Sequence, residues 1–387
     1  MSAPTAIDPA WQRARRILCV RLDSLGDVIM CTPALRALRA AVPGRRLTLL
    51  GAPAGAAAAP FIPEIDDVIV HEAPWMKDGA APDGRQPQAD LPALVETLAA
   101  RAFDAAVIFT TYTQSALPAA LLCHLAGIPL RLAHCRENPY RLLSDWVPDP
   151  EPGSMVRHEV QRQLALVKRI GCAPAGLGLS FVPRPGEHAA AAQCLRNAGI
   201  DPDVPWLLLH PGASAASRRY PPGHWAQAMR LLAESTAAPL VLTGSAAEGA
   251  LVDEIRLHAG VPAVSLAGRL GLGELGAALR LAAVAVTNNS GPAHIAAAVG
   301  TPVVDLYALT NPQHTPWKVR SRVLFQDVPC RFCFKSVCPQ GHHGCLAGVS
   351  PARVADAVLD LLQHEPPAAG TPAAQMADLA GQADAGG

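Results

Sequence analysis

An apolar strand pattern runs directly into a helix pattern at LRLAAVAVT (279 to 287), Asn288-Asn289-Ser290-Gly291-Pro292-Ala293-His294 and the alanine-rich run that ends at Gly300. A chain made of such junctions buries its strands in a parallel sheet with helices on both faces. The junction also has a chemistry. Ligands gather outside the carboxyl ends of parallel strands, and the free N–H groups and positive dipole end of the next helix attract anions, phosphates above all. Gly291 lets the backbone approach a ligand, Ser290 reads as a helix cap, and His294 falls in the first turn. An ordinary capped helix with a solvated histidine uses the same residue types, so this stretch alone does not separate the two readings.

The same alternation recurs twice along the chain. RILCVRL (16 to 22) reads as a buried strand, Asp23-Ser24-Leu25-Gly26-Asp27 as a loop, and VIMCTPALRALRAAVP as a helix stopped by Pro43-Gly44, with Pro33 confined to an early turn. RLTLLGA and EIDDVIVHE follow as strands, and the Gly- and Pro-rich segment 75 to 90 as a surface loop. LPALVETLAARAFDAAVIFT is a helix then a strand, and SALPAALLCHLAGIP and HEVQRQLALVKRIG are helices. Between 173 and 205 the chain is rich in Pro, Gly and Ala, and a domain boundary is expected near 180 to 200. The pattern then restarts with WLLLHPGAS, PLVLTGSAAE, AVSLAG, AVAVTNNSG and PVVDLYAL as strands, separated by helices. The reading is α/β: an N-terminal extension (1–15), a Rossmann-like domain (16–185), a second one (200–363) and a disordered tail (364–387).

Composition narrows the function. The 32 basic and 32 acidic residues cancel, which argues against nucleic-acid binding by phosphate neutralisation, and 4% aromatics leave few stacking platforms for single strands. The first 20 residues carry Asp8 and no long apolar core, and no stretch approaches the roughly 20 apolar residues that span a bilayer, so a cytoplasmic protein is expected. Of the ten cysteines, six are scattered and read as core fillers. The other four, Cys330, Cys333, Cys338 and Cys345, cluster with His342 and His343. They read as reduced structural cysteines, with a tetrahedral structural zinc as the alternative.

Three stretches carry chemistry. Asp27, after a glycine at a strand-to-helix turn, reads either as a general base or as a helix N-cap. HPGASAASRRYPPGHW (210 to 225) offers Gly212, Ser214, Ser217, Arg218 and Arg219, small residues and guanidinium groups that suit a diphosphate, although paired arginines also occur on plain solvated surfaces. LTGSAAE (242 to 248) repeats the strand, glycine and small-residue pattern and places Glu248 for ribose hydroxyls. Together with 288 to 294, these loops describe a nucleotide pocket better than any one alone. Arg131, Arg136 and Arg141 flank Pro139 and read either as contacts to an anionic acceptor or as solvated charge.

LDSLGDVIMCTPALRALR, LLLHPGAS with RRYPPGHW, LTGS with Glu248, TNNSGPAHIAAAVGTPVV and YALTNPQHTPW, in this order, resemble glycosyltransferase family 9, the ADP-heptose:lipopolysaccharide heptosyltransferase family, from Arg16 to about Leu362. The resemblance implies a GT-B architecture: two Rossmann-like domains with parallel sheets facing a central cleft, the acceptor on the first domain and the nucleotide sugar on the second. It implies an inverting transfer with no metal or other cofactor, from ADP-heptose to a glycolipid or oligosaccharide acceptor such as the lipopolysaccharide core. Asp27 matches the family's base, Arg218 its donor-phosphate cation, and Ser214, Glu248, Ser290, Gly291 and His294 its donor-pocket positions. Asn289 departs from the family's usual aspartate before Ser290-Gly291. A monomer is expected, with peripheral inner-membrane association if the acceptor is a lipid. A non-catalytic nucleotide-sugar-binding protein of the same fold is the second reading.

Overall fold

The computed structural model describes residues 7–76 and 90–363. Most of the surface loop expected at 75 to 90, and the tail expected at 364–387, lie outside the described residues. The chain divides into two compact units, Met1–Ser180 and Phe181–Gly387.

The first unit holds a six-stranded sheet of β1 (Arg16–Arg21), β2 (Arg46–Gly51), β3 (Asp67–Val70), β4 (Ala105–Ile108), β5 (Leu130–Cys135) and β6 (Asp145–Pro148). The strand order is β3-β2-β1-β4-β5-β6, and every pairing is parallel. β1 sits at the centre, with Ile17 opposite both Leu47 and Ala105. Burial on both faces explains why RILCVR is an unbroken apolar run closed by two arginines rather than an alternating one.

The second unit repeats the plan with β7 (Leu207–His210), β8 (Leu240–Leu242), β9 (Val264–Ser265), β10 (Val284–Asn288), β11 (Val303–Leu306) and β12 (Ser321–Leu324). Its order, β12-β11-β10-β7-β8-β9, is the first sheet's order read from the other edge. Each sheet therefore has a switch point where the winding reverses, between β1 and β4 and between β7 and β10. In open parallel sheets the carboxyl ends of those two strands bound the ligand crevice. One face of the second sheet carries a core of Leu207, Leu209, Leu242, Val286, Val304 and Leu306 against Trp225, Met229 and Val358. In the first unit Leu18, Val20, Ala106 and Ile108 pack with Leu98, Leu122 and Cys123.

Several local expectations are corrected. β5, β6 and β12 and the helices Pro185–Asn197 and Pro351–Gln363 were not expected. Residues 279 to 281 belong to the helix Leu272–Leu281, and only 284 to 288 form β10. Pro33, expected in an early turn, lies inside the helix Leu25–Ala41. Proline there leaves the Ile29 carbonyl without its helical donor, and the Thr32 hydroxyl supplies one at 2.7 Å. In the N-terminal extension Asp8 caps the short helix Pro9–Arg13, and Trp11 is buried with its indole N–H on Asp145 at 3.1 Å. No helix among the described residues is long and apolar enough to cross a membrane.

Candidate functional site

The first unit gathers charge at its switch point. Arg21, the last residue of β1, is 1% exposed and turns its three nitrogens to three carboxylates: Nε to Asp23 at 2.8 Å, Nη2 to Asp27 at 3.0 Å and Nη1 to Glu159 at 2.6 Å. The Nε–H is not directed at Asp23, so that contact is an ion pair rather than a hydrogen bond. Asp27 is inside the helix and not, as expected, in the loop before it. Ser24 occupies the N-cap position, and Asp27 Oδ2 accepts from its backbone N–H at 3.2 Å and its hydroxyl at 2.7 Å. Neither sequence reading anticipated this capping-box carboxylate, paired with an arginine and still 13% exposed. Asp23, read from sequence only as a loop residue, accepts from Gln114 Nε2 at 2.5 Å, and Gln114 lies on the loop after β4. Burial raises the Asp23 carboxyl to about 6 against the opposing pull of Arg21, with the Asp27 charge adding to the rise.

In the second unit, three loops at the carboxyl ends of β7, β8 and β10 are tied to one another. Asn288 Nδ2 donates to the Pro211 carbonyl at 2.7 Å, and its Oδ1 accepts from the Tyr220 N–H at 3.1 Å, so both ends of the 211 to 220 loop are anchored on β10. Glu248 Oε2 accepts from the Ser245 N–H at 2.7 Å and hydroxyl at 2.9 Å. Its Oε1 lies against Gly212, where a Cβ would come within 2.0 Å of it. A side chain at position 212 would push the Glu248 carboxylate out of this place. Beneath them the buried His210 shares a hydrogen bond with Thr243 at 3.0 Å, and burial holds its imidazole below the usual range although Glu248 pulls the other way.

The two arginines expected at the phosphates differ. Arg219 Nε donates to the Ala213 carbonyl at 2.8 Å and closes its own loop. Arg218 is half-exposed on the turn Ala216–Arg218, and its guanidinium makes no hydrogen bond or ion pair among the described residues. Its charge is felt by Asp305, in the middle of β11, fully buried, with neither carboxyl oxygen hydrogen-bonded; burial raises that carboxyl well above the carboxylate range and Arg218 only partly offsets it. Ser214 is exposed on the same loop as Arg218.

Ser290 stands at the N-cap of the helix Gly291–Val299, but its hydroxyl donates to the Asn288 carbonyl at 3.3 Å instead of accepting from the helix. Pro292 has no N–H, and the Ala293 N–H returns to the Ser290 carbonyl at 3.0 Å. This helix end therefore has fewer free donors than expected, though its dipole remains. His294 is buried rather than solvated. Asn289, 3% exposed, accepts from the Ala308 N–H at 3.2 Å and extends the β10–β11 pairing.

In the cysteine loop all four thiols are free, and among the described residues no three His, Cys, Asp or Glu side chains are gathered around one point. The thiols have other neighbours. Cys330 faces His342 Nε2 at 3.7 Å. Burial would raise the Cys338 thiol, but the N–H groups of His343, Gln340, Gly341 and His342 outweigh it and hold the thiol below its ordinary range. The loop instead braces the phosphate-type turn, since the Lys335 carbonyl accepts from the Ser217 hydroxyl at 2.7 Å and the Ser336 carbonyl from the Ser217 N–H at 2.9 Å. Arg131 is likewise not available to an acceptor. It is buried, and its guanidinium donates to the carbonyls of Ile128, Pro129, Arg141 and Leu142. Arg136 and Arg141 are exposed.

Two doubly wound sheets of identical order define a protein of the GT-B type, the two-Rossmann construction of many glycosyltransferases. The solved structure of a glycosyl transferase family 9 protein from Veillonella parvula shares this fold at a TM-score of 0.73 and 20% identity, over 92% of this chain and 99% of that one. The family model for glycosyltransferase family 9 (heptosyltransferase) matches residues 92–343, and the chain belongs to that family; it is a glycosyltransferase. It is 26% identical to lipopolysaccharide heptosyltransferase 2 of Escherichia coli K12, over 90% of this chain and 99% of that protein. It is 32% identical to lipopolysaccharide heptosyltransferase 1 of Pseudomonas aeruginosa in a match that spans 36% of this chain and 39% of that protein's length.

Proposed function

We propose that this enzyme transfers heptose from ADP-heptose to a lipopolysaccharide core acceptor, by a single inverting displacement that needs no metal ion. The first unit takes the acceptor and the second the nucleotide sugar. The observation that carries the reading is Arg218: a guanidinium with no hydrogen bond or ion pair among the described residues, on a turn fixed by Asn288 and the cysteine loop, beside loops of the kind that hold diphosphates. The heptosyltransferase relatives supply the choice of sugar and acceptor.

In this mechanism Asp27 takes the proton of the attacking acceptor hydroxyl. The hydroxyl oxygen bonds to the anomeric carbon as its bond to the diphosphate breaks, and ADP departs. Arg218 and the dipole of the helix that begins at Gly291, with the Gly291 backbone close by, stabilise the charge that grows on the diphosphate. Ser214, Ser290 and His294 line the donor pocket, and Glu248 Oε1 meets the ribose hydroxyls. A lipid-borne acceptor brings the monomeric enzyme to the inner face of the inner membrane.

The test is turnover of ADP-heptose with a heptose-acceptor core oligosaccharide by the wild type and by Asp27→Asn. The expected loss is about 10²- to 10⁴-fold for a removed general base, in a variant that keeps its melting temperature and its response to ADP, with wild-type rates unchanged by a chelator. Full turnover in folded Asp27→Asn would remove the base assignment, and product of retained anomeric configuration would remove the single displacement.

A further inference from the structure

Asp27 does not stand alone at the carboxyl end of β1. Arg21 holds three carboxylates at its three nitrogens, Asp23, Asp27 and Glu159, at 2.8, 3.0 and 2.6 Å. They come from three elements. Asp23 follows β1, Asp27 is on the helix Leu25–Ala41, and Glu159 opens the helix Glu159–Lys168, where its Oε1 also accepts from Gln163 at 2.7 Å. Glu159 is fully buried, while Asp23 and Asp27 are 12% and 13% exposed, so only these two can respond to solvent or substrate.

We propose that Asp23 is a positioning residue of the transfer reaction: through the Arg21 guanidinium it sets how strongly the Asp27 carboxylate is held, and so how readily Asp27 takes the acceptor's proton. The inference rests on the reading of Asp27 as the base. The charge count gives the physical reason. Asp23, Asp27 and Glu159 share one guanidinium, so a proton taken up by one of them changes how firmly the other two are held. Asp23 is the carboxyl driven upward, to about 6, by burial first, against Arg21, with Asp27 and Glu159 adding and the Gln114 hydrogen bond subtracting. Cys31, on the same helix as Asp27, stays a thiol because burial raises it strongly.

Ionised Asp23 shares the charge of Arg21 and repels the Asp27 carboxylate across it, which makes Asp27 more basic. Protonated Asp23 leaves Arg21 to its other two partners, and Asp27 is held more tightly and takes a proton less readily. The pH dependence of transfer then reports Asp23, although Asp27 does the chemistry.

The experiment is the pH profile of kcat/KM between pH 5 and 8 for the wild type, Asp23→Asn, Asp23→Glu and Gln114→Met, with melting temperatures taken alongside. The wild type is expected to fall through a limb centred near pH 6 toward a lower plateau, the level set by neutral Asp23. Asp23→Asn, which fixes the neutral state, is expected to run flat at a level about tenfold or more below the wild-type plateau, on the scale of one pK unit of base strength. Asp23→Glu restores a limb. Gln114→Met, which removes the hydrogen bond that lowers Asp23, moves the limb to higher pH and gives a second reading should Asp23→Asn not fold. A purely structural Asp23 would lower the rate at every pH and leave the limb in place. An unchanged limb in Asp23→Asn, or an unmoved one in Gln114→Met, overturns the proposal. It does so without touching the Asp27 assignment, which falls only on active Asp27→Asn.

Discussion

At Asp305 a charged residue type occupies a strand centre with no hydrogen bond to either oxygen. Burial favours its neutral form, so the folded state holds a proton that the unfolded chain releases near the ordinary carboxylate range. The sign follows: this group's contribution is most favourable below that range and is lost as pH rises through and above it, by about 1.4 kcal/mol per unit while the folded carboxyl stays protonated. Asparagine carries no such proton. Asp305→Asn should therefore melt higher than wild type at pH 8, by several degrees, with the gain shrinking toward pH 5. An equal or lower melting temperature at pH 8 would mean that Asp305 is ionised and paired, with Arg218 the nearest candidate. In the sequence Asp305 is only one carboxylate inside PVVDLY, and without the sheet register that sets it opposite Thr287 it reads as an ordinary strand residue. Asp27, Ser214, Arg218, Glu248 and the 288 to 294 junction were legible because strand, glycine and helix follow one another locally. What each side chain touches was not. Arg21 meets Glu159 across 138 positions, and no spacing rule reaches that far.

At the scale of elements, the helices 185–197 and 272–281 show why composition misled. Residues 173 to 205 look like a linker because Pro and Gly are frequent, yet Pro185 stands at the first turn, where a proline suits a helix. Residues Phe181 and Pro183 lie against Gly276 on the second helix, where a Cβ would come within 2.4 Å of the Phe181 ring and 3.2 Å of Pro183. The segment that leads into the first helix thus packs on the second helix through a position that tolerates no side chain. Helix propensity alone would have Gly276→Ala stabilise by up to ~1 kcal/mol, but overpacking a buried aromatic costs about 1–3 kcal/mol and wins. Gly186→Ala, on the first helix with open space around it, lacks the collision. Thermal melts should show Gly276→Ala lowered and Gly186→Ala unchanged or raised; a Gly276→Ala protein as stable as Gly186→Ala would contradict this packing. β5 and β6 escaped notice for a related reason. Arg131 and His134 interrupt the apolar run of β5, and Trp146 and Pro148 stand on the short β6 at the sheet edge. Arg131 is accommodated by the Leu142 and Arg141 carbonyls, and the Trp146 indole N–H by the Cys135 carbonyl.

For the whole molecule, the doubled strand order is the strongest evidence of class, and it was foreshadowed by two runs of alternating strand and helix patterns around a Pro- and Gly-rich stretch. The division falls at Ser180 and Phe181, so residues 181 to 199 go with the second unit. Two sheets with two switch points provide two places for ligands, one lined by carboxylates around Arg21 and one by small residues and Arg218. Their opposite chemistry supports giving the acceptor to the first and the diphosphate to the second. An adenosine diphosphate sugar in the second site is tested most directly by thermal stabilisation of the purified protein by ADP, GDP, UDP and CMP side by side, repeated with Arg218→Ala. A ligand that binds only the folded state adds about 2.7 kcal/mol at a hundredfold excess over its Kd. Several degrees of stabilisation are expected with ADP, little with the other three, and most of the ADP effect is expected to be lost in Arg218→Ala; equal stabilisation by another nucleotide, or an ADP response that survives the loss of Arg218, would contradict the assignment.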